Sequence, residues 1–96
     1  GATLDQIDMI EIQEAFAAQV LADLKDMGVK QKDYGKVNVN GSGISLGHAV
    51  ACTGTRVLVT LLHEMKRYGA RLGLECICGG GGLGIAAVFE RKGEKK

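Results

Sequence analysis

The sequence predicts an α/β fold with element order β-α-β-α-β-β, a mixed sheet that ends in an antiparallel hairpin. Three observations carry this expectation. Short apolar runs alternate with segments of helical period, the pattern of a mostly parallel sheet. Glycine follows each helical segment, at Gly28 and Gly69, where a left-handed residue is the common terminator. The last two apolar runs are separated only by the glycines at 79–82, and so short a link fits antiparallel pairing.

In chain order, residues 8–12 (DMIEI) read as a strand. Over residues 13–27 the period changes. Phe16, Val20, Leu24 and Met27 recur at helical spacing with Ala17 and Leu21 beside them, one apolar stripe. Phe16 is therefore a core candidate, and Glu14 suits the helix start, where acids favour the dipole. Residues 29–35 are polar and read as a loop. Residues 37–39 (VNV) are a short possible strand, and residues 41–48 (GSGISLGH) have too little side chain for regular structure. A second helix is expected over 54–68, burying Val57, Leu58, Leu61, Leu62 and Met65, with Lys66 and Arg67 at its cation-favouring end. Strands follow at 72–78 and 83–90, and the charged residues 91–96 read as a frayed tail. So few elements make a thin doubly wound sheet, and at least one edge or face should need covering by another chain.

At 96 residues the chain is one domain with a modest core. Its formal net charge is +1, which gives no footprint for nucleic acid or membrane. The amino terminus is acidic and amphipathic, unlike a signal peptide, and no apolar run approaches a membrane span. Three cysteines imply no disulfide framework and suit a reducing cytoplasm. The 15 glycines are about twice the usual share and call for a reason, since each costs backbone entropy on folding.

The chemistry concentrates in two glycine-rich places. Cys78 stands at a strand end before four consecutive glycines, where a hairpin needs one or two; extra glycine lets a ligand or another backbone approach closely. A hairpin turn with a bystander thiol is the plainer alternative. His48 lies between GSGISLG and a helix start, where a neutral imidazole can donate to a developing oxyanion. His63 reads as a surface residue. GSGISLG is also weighed as a nucleotide loop, though no acidic residue ends the following strand. Zinc on His48, Cys52, Cys76 and Cys78 is set aside, because Cys-x-Cys is not the usual ligand spacing; Cys52 and Cys76 are more simply small buried hydrophobes.

Three segments appear in a fixed order: EIQEAFAAQ (11–19), NGSGISLGHA (40–49) and CGGGGLGIA (78–86). Together they resemble the three C-terminal motifs of the thiolase family, N-E-A-F, G-H-P and C-x-G-G-G-x-G. The last motif is matched fully, by Cys78, Gly80, Gly81, Gly82 and Gly84. Gln13 stands where thiolases usually have Asn, and Ala49 where they usually have Pro. The resemblance implies the incomplete C-terminal half of a thiolase fold, lacking the family's nucleophilic cysteine, its coenzyme A-binding loop domain and its N-terminal half. The chain is then the small subunit of a split thiolase or a piece of a longer one.

The resemblance also implies roles. Thiolases condense two acyl-CoA thioesters, or cleave a 3-ketoacyl-CoA with coenzyme A, in fatty acid metabolism. Cys78 matches the cysteine that moves the methyl proton of acetyl-CoA, or activates the coenzyme A thiol in cleavage; the thiolate is the active base. His48 matches the histidine that donates to the thioester oxygen, beside a water held by the N-E-A-F asparagine. Gln13 keeps that amide chemistry with one more methylene. The Gly80 N–H matches a donor of the second oxyanion hole, and Ala15 and Phe16 match residues lining the pantetheine channel. The implied partners are a larger thiolase subunit carrying the nucleophile, in a hetero-oligomer, and coenzyme A thioesters as substrates, with no metal or resident cofactor. A non-catalytic interaction subunit that completes a thiolase-like partner is the alternative from another class, motivated by Gln13 and Ala49.

Overall fold

Three strands carry the fold in the computed structural model, which describes residues 1–93. They are β1 (Met9–Ile12), β2 (Leu72–Gly79) and β3 (Leu83–Glu90), in the order β1-β2-β3. β1 and β2 are parallel, with Ile12 opposite Cys76; β2 and β3 are antiparallel, with Gly79 opposite Leu83. This is the mixed sheet with a terminal hairpin that the sequence predicts.

Strand alternation gives the sheet two apolar faces and hence two covering helices. Ile10, Ile12, Leu72 and Leu74 face α1 (Ala17–Met27) and pack on its Val20 and Leu24. Met9 faces α3 (Thr53–Tyr68) and packs on its Leu61 and Met65, with Phe89 at the margin. Gly73 lets α3 approach: a Cβ there would lie 2.5 Å from the Met65 sulfur and 3.1 Å from Leu61. Both helices end on glycine in the left-handed conformation, Gly28 at φ 82° and Gly69 at φ 70°.

The structure departs from the sequence expectation at several places. The first helix starts at Ala17, not at residue 13. The Gln13 N–H is still bonded to the Cys76 carbonyl at 3.0 Å, which prolongs the ladder and forbids helix there. Phe16 becomes the extended N-cap and is 74% exposed, so it is not core. Glu14 precedes the helix and instead accepts from Asn38 Nδ2 at 2.9 Å and the Ile44 N–H at 3.1 Å. Residues 37–39 form no strand. Val37 makes one parallel bridge to Ile10, and Asn38 turns left-handed at φ 48°, its side-chain amide bonding both the N–H and the carbonyl of Ile12. An amide thus does the work of a fourth strand. Residues 29–35 and 41–48 are more regular than expected, holding a 3₁₀ segment (Gln31–Lys36) and the single turn α2 (Gly43–Leu46).

On α3, Val57, Leu61 and Met65 are buried as expected, Leu58 is half-buried, and Leu62 is exposed. Cys52 is exposed at the N-cap of α3 rather than buried. Arg91 is held against β2's start, its N–H on the Arg71 carbonyl and its Nε on the Ala70 carbonyl, both at 2.8 Å. The expected frayed tail otherwise falls partly on residues 94–96, outside the described residues.

Candidate active site

The hairpin between β2 and β3 builds one wall of the site. Gly81 and Gly82 adopt φ 79° and 84°, a conformation costly for any residue with a Cβ. Gly80 needs no such freedom: a Cβ there would meet nothing within 4 Å. Its bareness leaves its backbone open to a visitor. Cys78, one residue before the strand's end, is exposed.

α3 and its approach build the opposite wall. After α2, Gly47 at φ 115° turns the chain and presents His48 on the surface. His48 Nδ1 lies 2.7 Å from the Thr53 hydroxyl in the first turn of α3. Ala51 holds a left-handed φ of 69° between them, a conformation that costs an L residue about 1–2 kcal/mol.

His48, Cys78, Gly80 and Ala15 line one cleft of about 780 Å³, with Thr53, Leu58, Glu75 and Ile85 around them. A second cleft of about 740 Å³ lies on the α1 side of the sheet end and is lined by Gln13, Ala15, Phe16 and Cys78. Cys78 and Ala15 border both. Gln13 does not line the His48 cleft. Its side chain is 5% exposed and packs on Gly43, where a Cβ would fall 2.9 Å from either amide atom. Its Oε1 is buried without a hydrogen-bond partner among the described residues, an acceptor suited to a water.

Burial controls the acids and thiols nearby. Desolvation pushes the Cys76 thiol up, aided by the charges of Asp23 and Glu75, so Cys76 stays neutral. Glu75, on the His48 cleft, is also raised by burial. Its register partner Glu11 is 2% exposed and raised to about 7 by desolvation, against the pull of Arg56. His63 is exposed, as expected. Among the described residues, no group of three or more His, Cys, Asp or Glu could hold a metal ion. GSGISLG makes a single turn without a preceding sheet strand, so it lacks the strand-to-helix context of a nucleotide loop.

Sequence reasoning missed Thr53 and Glu75. Thr53 sits five positions after His48, a spacing that means nothing until the start of α3 is known. Glu75 looks like an outward strand position, and only the α3 side of the sheet makes it part of a cleft.

A strand-end cysteine on a glycine hairpin thus shares one cleft with a histidine that precedes the start of a helix. The profile of the thiolase C-terminal domain matches residues 1–91, and the chain belongs to the thiolase family. It is 53% identical over 90 residues to an acetyl-CoA acetyltransferase of Cupriavidus necator, covering 94% of this chain and 22% of the relative. It is 48% identical over 91 residues to a 3-ketoacyl-CoA thiolase of Aliivibrio salmonicida, covering 95% of this chain and 24% of the relative. The crystal structure of the Bacillus anthracis acetyl-CoA acetyltransferase matches with a TM-score of 0.84 at 49% identity, over 91% of this chain and 21% of that one. The chain thus spans under a quarter of the length of these relatives.

Proposed function

We propose that this chain supplies the proton-transfer half of a thiolase site, while a partner chain supplies the nucleophilic cysteine and the coenzyme A-binding region. The observation that carries the reading is the single cleft shared by His48, Cys78 and Gly80, which approach it from opposite ends of α3 and β2. The substrates are coenzyme A thioesters, and no other cofactor takes part. The reaction is condensation of two acetyl-CoA to acetoacetyl-CoA, or the reverse thiolysis, in a cytoplasmic hetero-oligomer. Three free cysteines suit that reducing setting.

In the condensing direction the Cys78 thiolate takes a proton from the methyl carbon of acetyl-CoA. The enolate oxygen is met by the His48 N–H, while Gln13 lines the neighbouring cleft on the α1 side. The carbanion attacks the acyl thioester on the partner's cysteine, and the Gly80 N–H receives the resulting oxyanion. Collapse releases the partner's thiolate and the 3-ketoacyl thioester, and Cys78 carries the proton away. Ala15 and Phe16, at the second cleft, are placed to flank the pantetheine arm. Losing one oxyanion donor costs about a hundred- to a thousand-fold in rate.

The test is thiolysis of acetoacetyl-CoA by the chain assembled with whatever larger chain co-purifies. Cys78→Ala should abolish turnover, and His48→Ala should lower it by about a hundred-fold or more. Full activity in Cys78→Ala overturns the role assigned to that thiol. One observation favours a second reading, a non-catalytic subunit that completes a thiolase-like partner: the Gln13 amide packs on Gly43 and does not line the His48 cleft. Retained activity in both variants would select that reading.

A further inference from the structure

Among the described residues, Glu75 is the only acid that lines the His48 cleft, and no Lys or Arg lines it. It is 9% exposed and lies on β2, three residues before Cys78. Three strand residues span about 10 Å, so it stands apart from the reacting atoms. Its carboxyl makes no hydrogen bond or ion pair among the described residues. Nor is it sealed. The buried, unpartnered side-chain oxygens are those of Glu11, Gln13 and Glu64, so the Glu75 carboxyl keeps an opening, and the cleft provides it.

The described residues hold no cation for it. Glu11 stands opposite Glu75 in register, 2% exposed and with its own Oε1 unpartnered. The two carboxyls do not bond each other, so no shared proton settles the pair. Arg56, whose field reaches Glu11, is tied to the Ser42 and Thr60 hydroxyls at 3.1 and 3.2 Å. Arg67 serves Glu64 at 3.4 Å. An ionised carboxyl only accepts hydrogen bonds, and withdrawing it from water without a donor is costly.

We propose that Glu75 is the docking point for an arginine or lysine side chain of the larger chain, inserted into the His48 cleft. The inference rests on the thiolase reading for the existence of that chain. In that reading the partner's cysteine comes to Cys78 and His48, so the partner enters the cleft that Glu75 lines. Covering the cleft takes the remaining water from Glu75. An apolar cover would leave two neighbouring acids buried without a donor. A cationic side chain satisfies Glu75 and offsets the field of Glu11. The chain spans under a quarter of the length of its relatives, so most of a thiolase is left to supply that side chain.

The experiment is calorimetric titration of this chain with the purified larger chain that co-purifies with it, at low and high salt. Glu75→Gln keeps the shape and removes the charge. It should weaken association about thirtyfold or more, the loss expected when one member of a buried charge pair is removed. Its affinity should also depend less on salt than the parent's. Asp5→Asn, at an exposed acid, should leave association unchanged. Glu75→Lys should prevent assembly, and exchanging the facing cation for Glu, once cross-linking has located it, should restore it. Equal affinity in the parent and Glu75→Gln overturns the inference; a raised KM for the thioester at that equal affinity would give the carboxyl to the substrate instead. A chain that binds no partner overturns it too. Failure of Glu75→Gln to fold does not shelter it, because the ¹³C signal of the Glu75 carboxyl in the parent assembly also decides. That carboxyl should be ionised at neutral pH, and a protonated one overturns the pairing. Full activity in Cys78→Ala strikes the catalytic reading and leaves the docking result standing. Equal affinity in Glu75→Gln with turnover abolished in Cys78→Ala strikes only the docking, so the two failures are distinguishable.

Discussion

Glu11 shows how one residue can set the chain's response to pH. Its carboxyl sits on the α3 side of the sheet, beside Glu75 and within the fields of Glu64 and Arg56, and its Oε1 has no partner among the described residues. Desolvation raises it from 4.5 to about 7. The folded chain then keeps a proton that the unfolded chain releases. Its contribution is complete below about pH 4.5 and is lost as pH rises through about 7. The loss amounts to roughly 3 kcal/mol at most. Glu11→Gln should therefore flatten this dependence, which denaturant midpoints at about pH 5 and about pH 8 would register. Equal slopes in parent and variant would mean that Glu11 is ionised in the folded state. Asp8 acts in the opposite sense. The Leu72 and Arg71 N–H groups bond its carboxylate at 3.0 and 2.8 Å and hold it below its usual range. Its share of stability is present at neutral pH and is lost as pH falls through that lowered value.

At the scale of elements, the contact of α3 with the sheet rests on an absent side chain. Gly73 stands beneath Met65 and Leu61. Gly73→Ala adds a methyl where the core is filled, and overpacking of this kind costs about 1–3 kcal/mol. Met65 is flexible, so the effect should lie near the lower figure, and urea unfolding measures it. A second substitution that shortens Met65 should return part of the loss, because residues in contact do not add independently. The same contact holds the second half of α3 on the sheet. Asn38 works differently. Its side chain supplies the hydrogen bonds of a strand edge to Ile12, so β1 is satisfied on that side without a continuous neighbour.

For the whole molecule, the sheet ends on β3. Leu83, Ile85 and Val88 are exposed, and among the described residues no strand lies beyond β3. An open apolar edge of this kind invites a further strand. Amide exchange should be faster along β3 than along β2, which is paired on both sides. Assembly with the larger chain should slow the β3 amides if that chain covers the edge. The sequence expectation that a thin sheet needs covering has this exposed strand as its physical counterpart.

Helical and strand periods, the terminal glycines at 28 and 69, and the hairpin glycines were all legible in the sequence, because each is a local property of consecutive residues. So were the motifs that place Cys78 and His48 in the thiolase family. The start of the first helix was not legible: the stripe includes Phe16, but the Gln13 N–H is bonded to Cys76, a partner far along the chain. Nor was the Asn38 clamp, since VNV has the composition of a strand and only the approach of Ile12 turns the amide into its substitute. The grouping of His48, Thr53 and Glu75 around Cys78 depends on how α3 lies on the sheet. The sequence by itself determined the elements and the reactive residue types. Tertiary structure decided which face each side chain takes and which hydrogen bond each polar group makes, because those depend on residues brought near only by packing.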